Sequence, residues 1–235
     1  MSKSATIRVV VIASASAEWR AVRAYFPDVT TQESPMGEWF VTELEVSGTH
    51  EPVCFFHGGW GKISAAASAQ YVIDRWNPRL LVNLGTCGGF EGAIERGTVV
   101  LAERTIVYDI VELMDDYSAA LEKYMTDIDL NWLSGKYPHP VVEGVLVSAD
   151  RDLLAEDIPT LREVFEATAG DWESGAIAYV AARNKVRCLI LRGVSDLVSA
   201  EGGEAYDNVA FFTEQAQNIM TELLGFLPAW IAKGL

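Results

Sequence analysis

Cysteine, histidine and positive charge are all scarce in this chain of 235 residues, which has three Cys, three His, and 18 Lys plus Arg against 33 Asp plus Glu. Each shortage excludes something. Cys54, Cys87 and Cys188 stand far apart, with no Cys-x-x-Cys spacing and no Cys/His cluster, so neither a metal site nor a disulfide framework is expected. Buried free thiols are expected instead, and they suit a reducing, cytoplasmic compartment. A net charge of −15 leaves no basic patch to hold nucleic acid or an anionic membrane. No apolar run approaches the ~20 residues of a membrane span, and the first residues lack the apolar core of a signal peptide.

Nucleotide and hydrolase signatures are missing too. Gly58 to Lys62 has a superficial P-loop look, but the required first glycine would fall at Phe56, and Ile63 follows the lysine where Ser or Thr is needed. No G-x-G-x-x-G follows the first apolar run. His57 is the one histidine near a candidate site, and without a G-x-S-x-G elbow a Ser-His-Asp arrangement is disfavoured.

What is present is a rhythm of apolar runs and helical patterns. Ile7 to Ala13, Pro52 to His57, Leu80 to Leu84, Thr98 to Val107, Val141 to Ser148 and Cys188 to Val194 read as strands, and Phe40 to Val46 alternates like a half-exposed one. Ile63 to Trp76, Trp172 to Asn184 and Val209 to Phe226 read as helices, the first stopped by Asn77-Pro78. Such alternation predicts an α/β fold with a mainly parallel sheet, formed as a single domain over residues 1–235. Residues 112–140 break the rhythm and are expected either to cover a site or to contact another subunit.

Small or polar segments follow four of the strands: Ser14 to Glu18, His57 to Lys62, Gly85-Thr86-Cys87-Gly88-Gly89, and Ser195-Asp196. Parallel strands would bring all four to one sheet edge, where open α/β sheets bind ligands. The Gly85–Gly89 segment is expected to be a turn whose glycines permit positive φ and close backbone approach. On its own it serves equally as a chain reversal or a ligand cradle.

Taken in order, Glu18, Gly58-Gly59-Trp60-Gly61-Lys62, Asn83 to Gly89, Asp171-Trp172-Glu173 and Val194-Ser195-Asp196 resemble the purine nucleoside phosphorylase/uridine phosphorylase superfamily. Within it the likeness is greatest to the 5′-methylthioadenosine/S-adenosylhomocysteine nucleosidases. It runs from Ile7 to about Phe226 and is weakest between Tyr108 and Pro140.

The resemblance implies a three-layer α/β/α fold with a central mixed, mostly parallel twisted sheet, no cofactor, a homo-oligomer of two or more subunits, and cleavage of a nucleoside N-glycosidic bond. Asp196, oriented by Ser195, would act as acid at purine N7, which requires a raised pKa. Glu173 would bind the ribose hydroxyls, with Trp172 under the sugar where methionine is usual. Thr86, Cys87 and Gly88 would lie near ribose and base, and Tyr206 would be an aromatic lid.

Phosphorylases carry a phosphate-binding arginine where this chain has Asn83, and another in the first-strand turn where it has Glu18. Hydrolysis with Glu18 as the base for water is therefore the leading expectation. Arg20, close by, keeps a phosphorylase as the alternative, and a non-catalytic nucleoside-binding homologue is a third reading. One departure bears on specificity: Asp152 stands where the nucleosidases stack a phenylalanine on adenine.

Overall fold

The computed structural model describes residues 6–114, 117–199 and 201–235. In chain order the elements are β1 (Val9–Ala13), α1 (Ser16–Tyr25), β2 (Gln32–Ser34), β3 (Gly37–Val46), β4 (Thr49–His57), α2 (Gly61–Trp76), β5 (Leu80–Phe90), β6 (Val99–Val107) and α3 (Tyr117–Glu122). They continue with β7 (Met125–Asp127), β8 (Val142–Ser148), α4 (Ile158–Phe165), β9 (Ala167–Asp171), α5 (Ser174–Asn184), β10 (Arg187–Ser199), β11 (Gly202–Gly203) and α6 (Val209–Gly234).

β1 shows why the apolar runs become central strands. Successive side chains point to opposite faces, so Val10 and Ile12 join a cluster with α2 and α5, while Val9, Val11 and Ala13 join one with α1 and α6. Both faces are covered by helices, and the strand is buried throughout. Two helical layers enclosing one sheet are the architecture the sequence suggested. Trp230 of α6 is the largest fully buried side chain of the second cluster; its truncation to alanine would cost about 3–5 kcal/mol.

The described residues form one mixed sheet of eleven strands, in the order β11-β10-β6-β8-β9-β5-β1-β4-β3-β2, with β7 on β6. β4, β1, β5 and β10 are parallel neighbours, so their carboxyl ends do share one edge. Antiparallel β3 and β2 extend the sheet beyond β4. On the other side β5 pairs with both β10 and β9, so β5, β9, β8, β6 and β10 close into a ring.

Several local expectations need correcting. Gly85–Gly89 is not a turn, because β5 runs on to Phe90, paired with β10 along its length. None of its glycines needs positive φ; space is what they provide. A Cβ at Gly85 would lie 2.1 Å from Arg192 Nη1 and 2.5 Å from Glu18 Oε1. Ser195 and Asp196 are likewise inside β10, at a bulge where the register with β5 slips between Val194 and Asp196. The extra residue re-aims the side chains locally.

The helix expected from Trp172 begins at Ser174. Residues 112–140, apart from 115 and 116, which lie outside the described residues, form α3, β7 and a loop. Leu130, Trp132, Leu133 and Tyr137 pack against the α1/α6 cluster. None of the described residues in this segment lines the cavity reported below, so it does not cover that site.

Candidate functional site

A cavity of about 530 Å³ opens at the carboxyl edge of β1, β5 and β10. Glu18, Thr86, Cys87, Gly88, Trp172, Glu173, Ser195, Asp196 and Tyr206 all line it, so the nine residues singled out from the sequence are brought together. Asp152 also contributes to its wall.

At its floor lies a buried charge centre. Glu18, in the first turn of α1, accepts hydrogen bonds through Oε2 from the Ser14 and Ala15 N–H groups, at 3.2 and 3.0 Å. Its Oε1 accepts from the Thr86 N–H at 2.7 Å and the Thr86 hydroxyl at 3.0 Å. The bonds to Thr86 cross from α1 to β5 and fix the carboxylate over the glycine segment. Arg192 of β10, wholly buried, places Nη1 3.5 Å from Glu18 Oε1 and Nε 2.9 Å from Asp171 Oδ2. Its Nη2 lies 3.7 Å from Glu173 Oε2. One guanidinium thus serves three carboxylates. Burial opposes its charge, but Asp171, Glu18 and Glu173 hold its pKa above the ordinary value.

Asp171 ends β9 and organises the start of α5. Its Oδ1 accepts from the Ser148 hydroxyl at 2.7 Å and from the N–H groups of Glu173 and Ser174 at 3.2 and 3.1 Å, so donors left open by the helix start are satisfied. The Ser174 hydroxyl donates to Oδ2. Glu173 is therefore free of capping duty, and its Oε1 accepts the Gly61 N–H at 3.0 Å. Burial lifts the Glu173 pKa to about 8, with Asp171 and Glu18 adding to the shift while Arg192 and the Gly61 N–H oppose it.

At the other end of the cavity, the Ser195 hydroxyl lies 2.6 Å from Asp196 Oδ1 and 3.2 Å from the Cys87 carbonyl. Burial raises the Asp196 pKa; the Ser195 hydroxyl and the Ala205 N–H restrain the rise, and Glu204 and Asp152 add to it. The Tyr206 hydroxyl donates to the Leu153 carbonyl at 2.6 Å, which anchors the loop after β11 to the one after β8.

The Gly58–Lys62 segment is clamped to the same edge. Lys62 pairs with Asp109 and lies 3.7 Å from Asp150 Oδ2, while its backbone N–H donates to Asp150 Oδ1 at 2.7 Å. Asp150 N–H in turn donates to Asp109 Oδ2 at 3.0 Å. Gly61, at φ +82°, sits where a Cβ would approach Asp150 Oδ1 to 2.9 Å. Next to it, Trp60 stacks on Trp172 with ring centroids 4.6 Å apart, and both rings line the cavity. Among the described residues no group of three or more His, Cys, Asp or Glu could hold a metal ion.

Sequence reasoning missed Arg192. The signal was there: one arginine inside the otherwise apolar run Cys188 to Val194, and a buried arginine must be paired. Asn83 also acts differently from its sequence reading. It is fully buried and does not line the cavity; its Oδ1 accepts from Arg192 Nη2 at 2.8 Å, and its amide donates to the Ile12 carbonyl at 3.1 Å. His57 lies outside the cavity, stacked on Trp19 at 5.3 Å.

The sequence profile of the phosphorylase superfamily matches residues 8–225. A 5′-methylthioadenosine/S-adenosylhomocysteine nucleosidase of Bacillus thuringiensis (strain Al Hakam) is 24% identical over 222 residues, which are 89% of this chain and 93% of that protein. The Helicobacter pylori nucleosidase of the same name, solved with butyl-thio-DADMe-Immucillin-A, superposes with a TM-score of 0.78 at 16% identity, covering 94% of this chain and 98% of that one. The native futalosine hydrolase of Helicobacter pylori strain 26695 superposes equally well, with TM-score 0.78 and 16% identity over 94% of this chain and 97% of that one. The two superpositions concern the fold.

Proposed function

The chain belongs to the phosphorylase superfamily, and from that premise we propose that it is a nucleosidase. It would hydrolyse the N-glycosidic bond of 5′-methylthioadenosine, S-adenosylhomocysteine or a related nucleoside. The observation that carries the choice of water over phosphate is the charge centre itself. Glu18, Asp171 and Glu173 surround Arg192, whose guanidinium is already engaged. A phosphate dianion entering beside Glu18 would meet like charge, and the guanidinium nearest to that carboxylate, Arg192, is already engaged. A water there would instead find a carboxylate to take its proton and the Thr86 hydroxyl to orient it.

The proposed reaction runs between the two ends of the cavity. Asp196, its pKa raised by burial, gives a proton to N7 of the purine as the C1′–N9 bond lengthens. Positive charge grows on the sugar, held by Glu173 at its ribose hydroxyls, and the carboxylate of Glu18 beside it stabilises that charge. Water adds at C1′ and loses its proton to Glu18. Free base and a ribosyl product result, and no electrons leave the substrate pair.

Support for the acid comes from the raised Asp196 pKa together with the Ser195 hydrogen bond at 2.6 Å. Asp196→Asn and Glu18→Gln should each lower turnover by about 10²-fold or more, as for a lost general acid or base. Near-wild-type base release by both variants would contradict the assignment. A protein that binds nucleosides without cleaving them would be the non-catalytic alternative.

We read the chain as a cytoplasmic homo-oligomer. Trp60, Ile63, Val111, Leu113 and Met114 are exposed apolar side chains on two segments joined by the Lys62–Asp109 pair. Such a patch favours association. Leu113→Asp should shift sedimentation toward the monomer; an unchanged profile counts against this surface.

A further inference from the structure

Arg20 is a cation without a partner in a strongly acidic cavity. We propose that it determines specificity by receiving an anionic group at the far end of the substrate's sugar-side substituent. The proposal deepens the nucleosidase reading and rests on it.

The first observation is the charge inventory. The cavity is lined by Glu18, Asp152, Asp171, Glu173, Asp196 and Asp207, and among the described residues the only cations along its wall are Arg20 and Arg151. Arg151 is committed: its Nη2 lies 2.6 Å from Asp157 Oδ2, and its guanidinium sits over the Tyr108 ring at 5.4 Å. The Arg20 side chain makes no hydrogen bond, ion pair or ring contact with any described residue. Apart from Arg20, only Arg79 among the arginines is also without such a partner, and Arg79 lies away from the cavity. Arg20 is solvent-exposed at the cavity wall, so its guanidinium is open to a ligand entering there.

The second observation is position. On α1, Ser16, Ala17 and Arg20 share a helix face, being three and four residues apart, and all three line the cavity. The nucleophile and ribose positions are taken by Glu18, Thr86 and Glu173, and the base position by Ser195 and Asp196. Of the other lining residues, Ala17, Trp60, Trp172, Val209 and Phe212 are apolar and share the wall with the polar Ser16, Asp207 and Thr213. Arg20 lines the same cavity. A substituent leaving the sugar would therefore have both apolar surface and a guanidinium available to it. That pairing of environments suits a short apolar linker ending in a carboxylate or comparable anion, which arginine grips with paired donors.

The test uses two nucleosides alike in base, ribose and chain length, both 5′-alkylthio, one ending in a carboxylate and the other in a methyl group. Their kcat/KM and, by calorimetry, their Kd are measured with the wild type, Arg20→Ala and Arg20→Lys. The wild type should favour the carboxylate by about tenfold, the scale of one charge-assisted hydrogen bond. Arg20→Ala should bring that ratio to about one, and Arg20→Lys should keep part of it. Raising ionic strength should shrink the wild-type preference, because the contact sits at a solvent-open rim. An Arg20→Ala ratio equal to that of the wild type overturns the proposal and leaves the hydrolase reading intact. Binding that shows the expected ratio while neither nucleoside is cleaved upholds the proposal and contradicts the hydrolase reading. Failure of the wild type to bind either compound overturns both.

Discussion

Arg192 Nη1 lies 3.5 Å from Glu18 Oε1, with both side chains buried, and this contact ties the middle of β10 to the first turn of α1 across β5. The same guanidinium reaches Asp171 and Glu173. Asn83 and the Thr86 carbonyl complete its donor set, at 2.8 and 3.3 Å. A buried cation so placed is required by its surroundings.

Arg192→Met should therefore be severely destabilising. It removes the cation and leaves the Glu18 and Asp171 carboxylates uncompensated, a change expected to cost about 3–5 kcal/mol. Urea denaturation measures it. A loss under 1 kcal/mol, roughly the worth of a surface pair, would mean that the centre is far more hydrated than its burial implies.

Glu173 gives a pH-dependent stability of definite sign. Its pKa is raised to about 8 in the folded chain, above the roughly 4.3 of an unfolded glutamate. Below both values the residue is protonated in either state and has no effect. Between about pH 4.3 and 8 the unfolded chain releases the proton while the folded chain retains it, so stability falls as pH rises. Above about 8 the penalty is constant. Glu173→Gln should remove that slope, and thermal melts across the range should show the variant gaining on the wild type up to about pH 8. Parallel curves would refute the buried-acid description.

Lys62 offers a test of positioning. Its bonds to Asp109 and Asp150 hold the loop whose Gly61 N–H binds Glu173 at 3.0 Å. Lys62→Met and Asp150→Asn should each raise KM about three- to tenfold, on the scale of one hydrogen bond, with a smaller change in kcat. A fall in kcat at unchanged KM would point to a role in the chemical step instead.

Much of this was legible in the sequence, and what was not has identifiable physical causes. The runs Ile7–Ala13 and Leu80–Leu84, each broken by a single polar residue, announced central strands, since strands covered on both faces are apolar at nearly every position. Glu18, Thr86 to Gly88, Ser195 and Asp196 were legible because charged or small residues directly after such runs have few structural reasons to be there, whereas Trp172, Glu173 and Tyr206 were legible only through the family resemblance. The extent of β5 was not. Gly85 to Gly89 looks like a turn by composition, yet its glycines make room for Arg192, Glu18, Leu153, Ile94 and Val194 inside a continuous strand. The ring closed by the β5–β10 pairing has no local signature, because register between distant strands is set by tertiary packing. The role of Asn83 depended on Arg192, ~110 residues away in the chain, and no short-range pattern links the two.

The most direct test follows the attacking oxygen. The protein is incubated with a cleavable purine nucleoside in heavy-oxygen water containing excess phosphate, and the sugar product is examined by mass spectrometry. Hydrolysis predicts free sugar carrying one heavy oxygen at C1, at a rate independent of phosphate. Unlabelled sugar 1-phosphate, formed only when phosphate is present, would contradict the account.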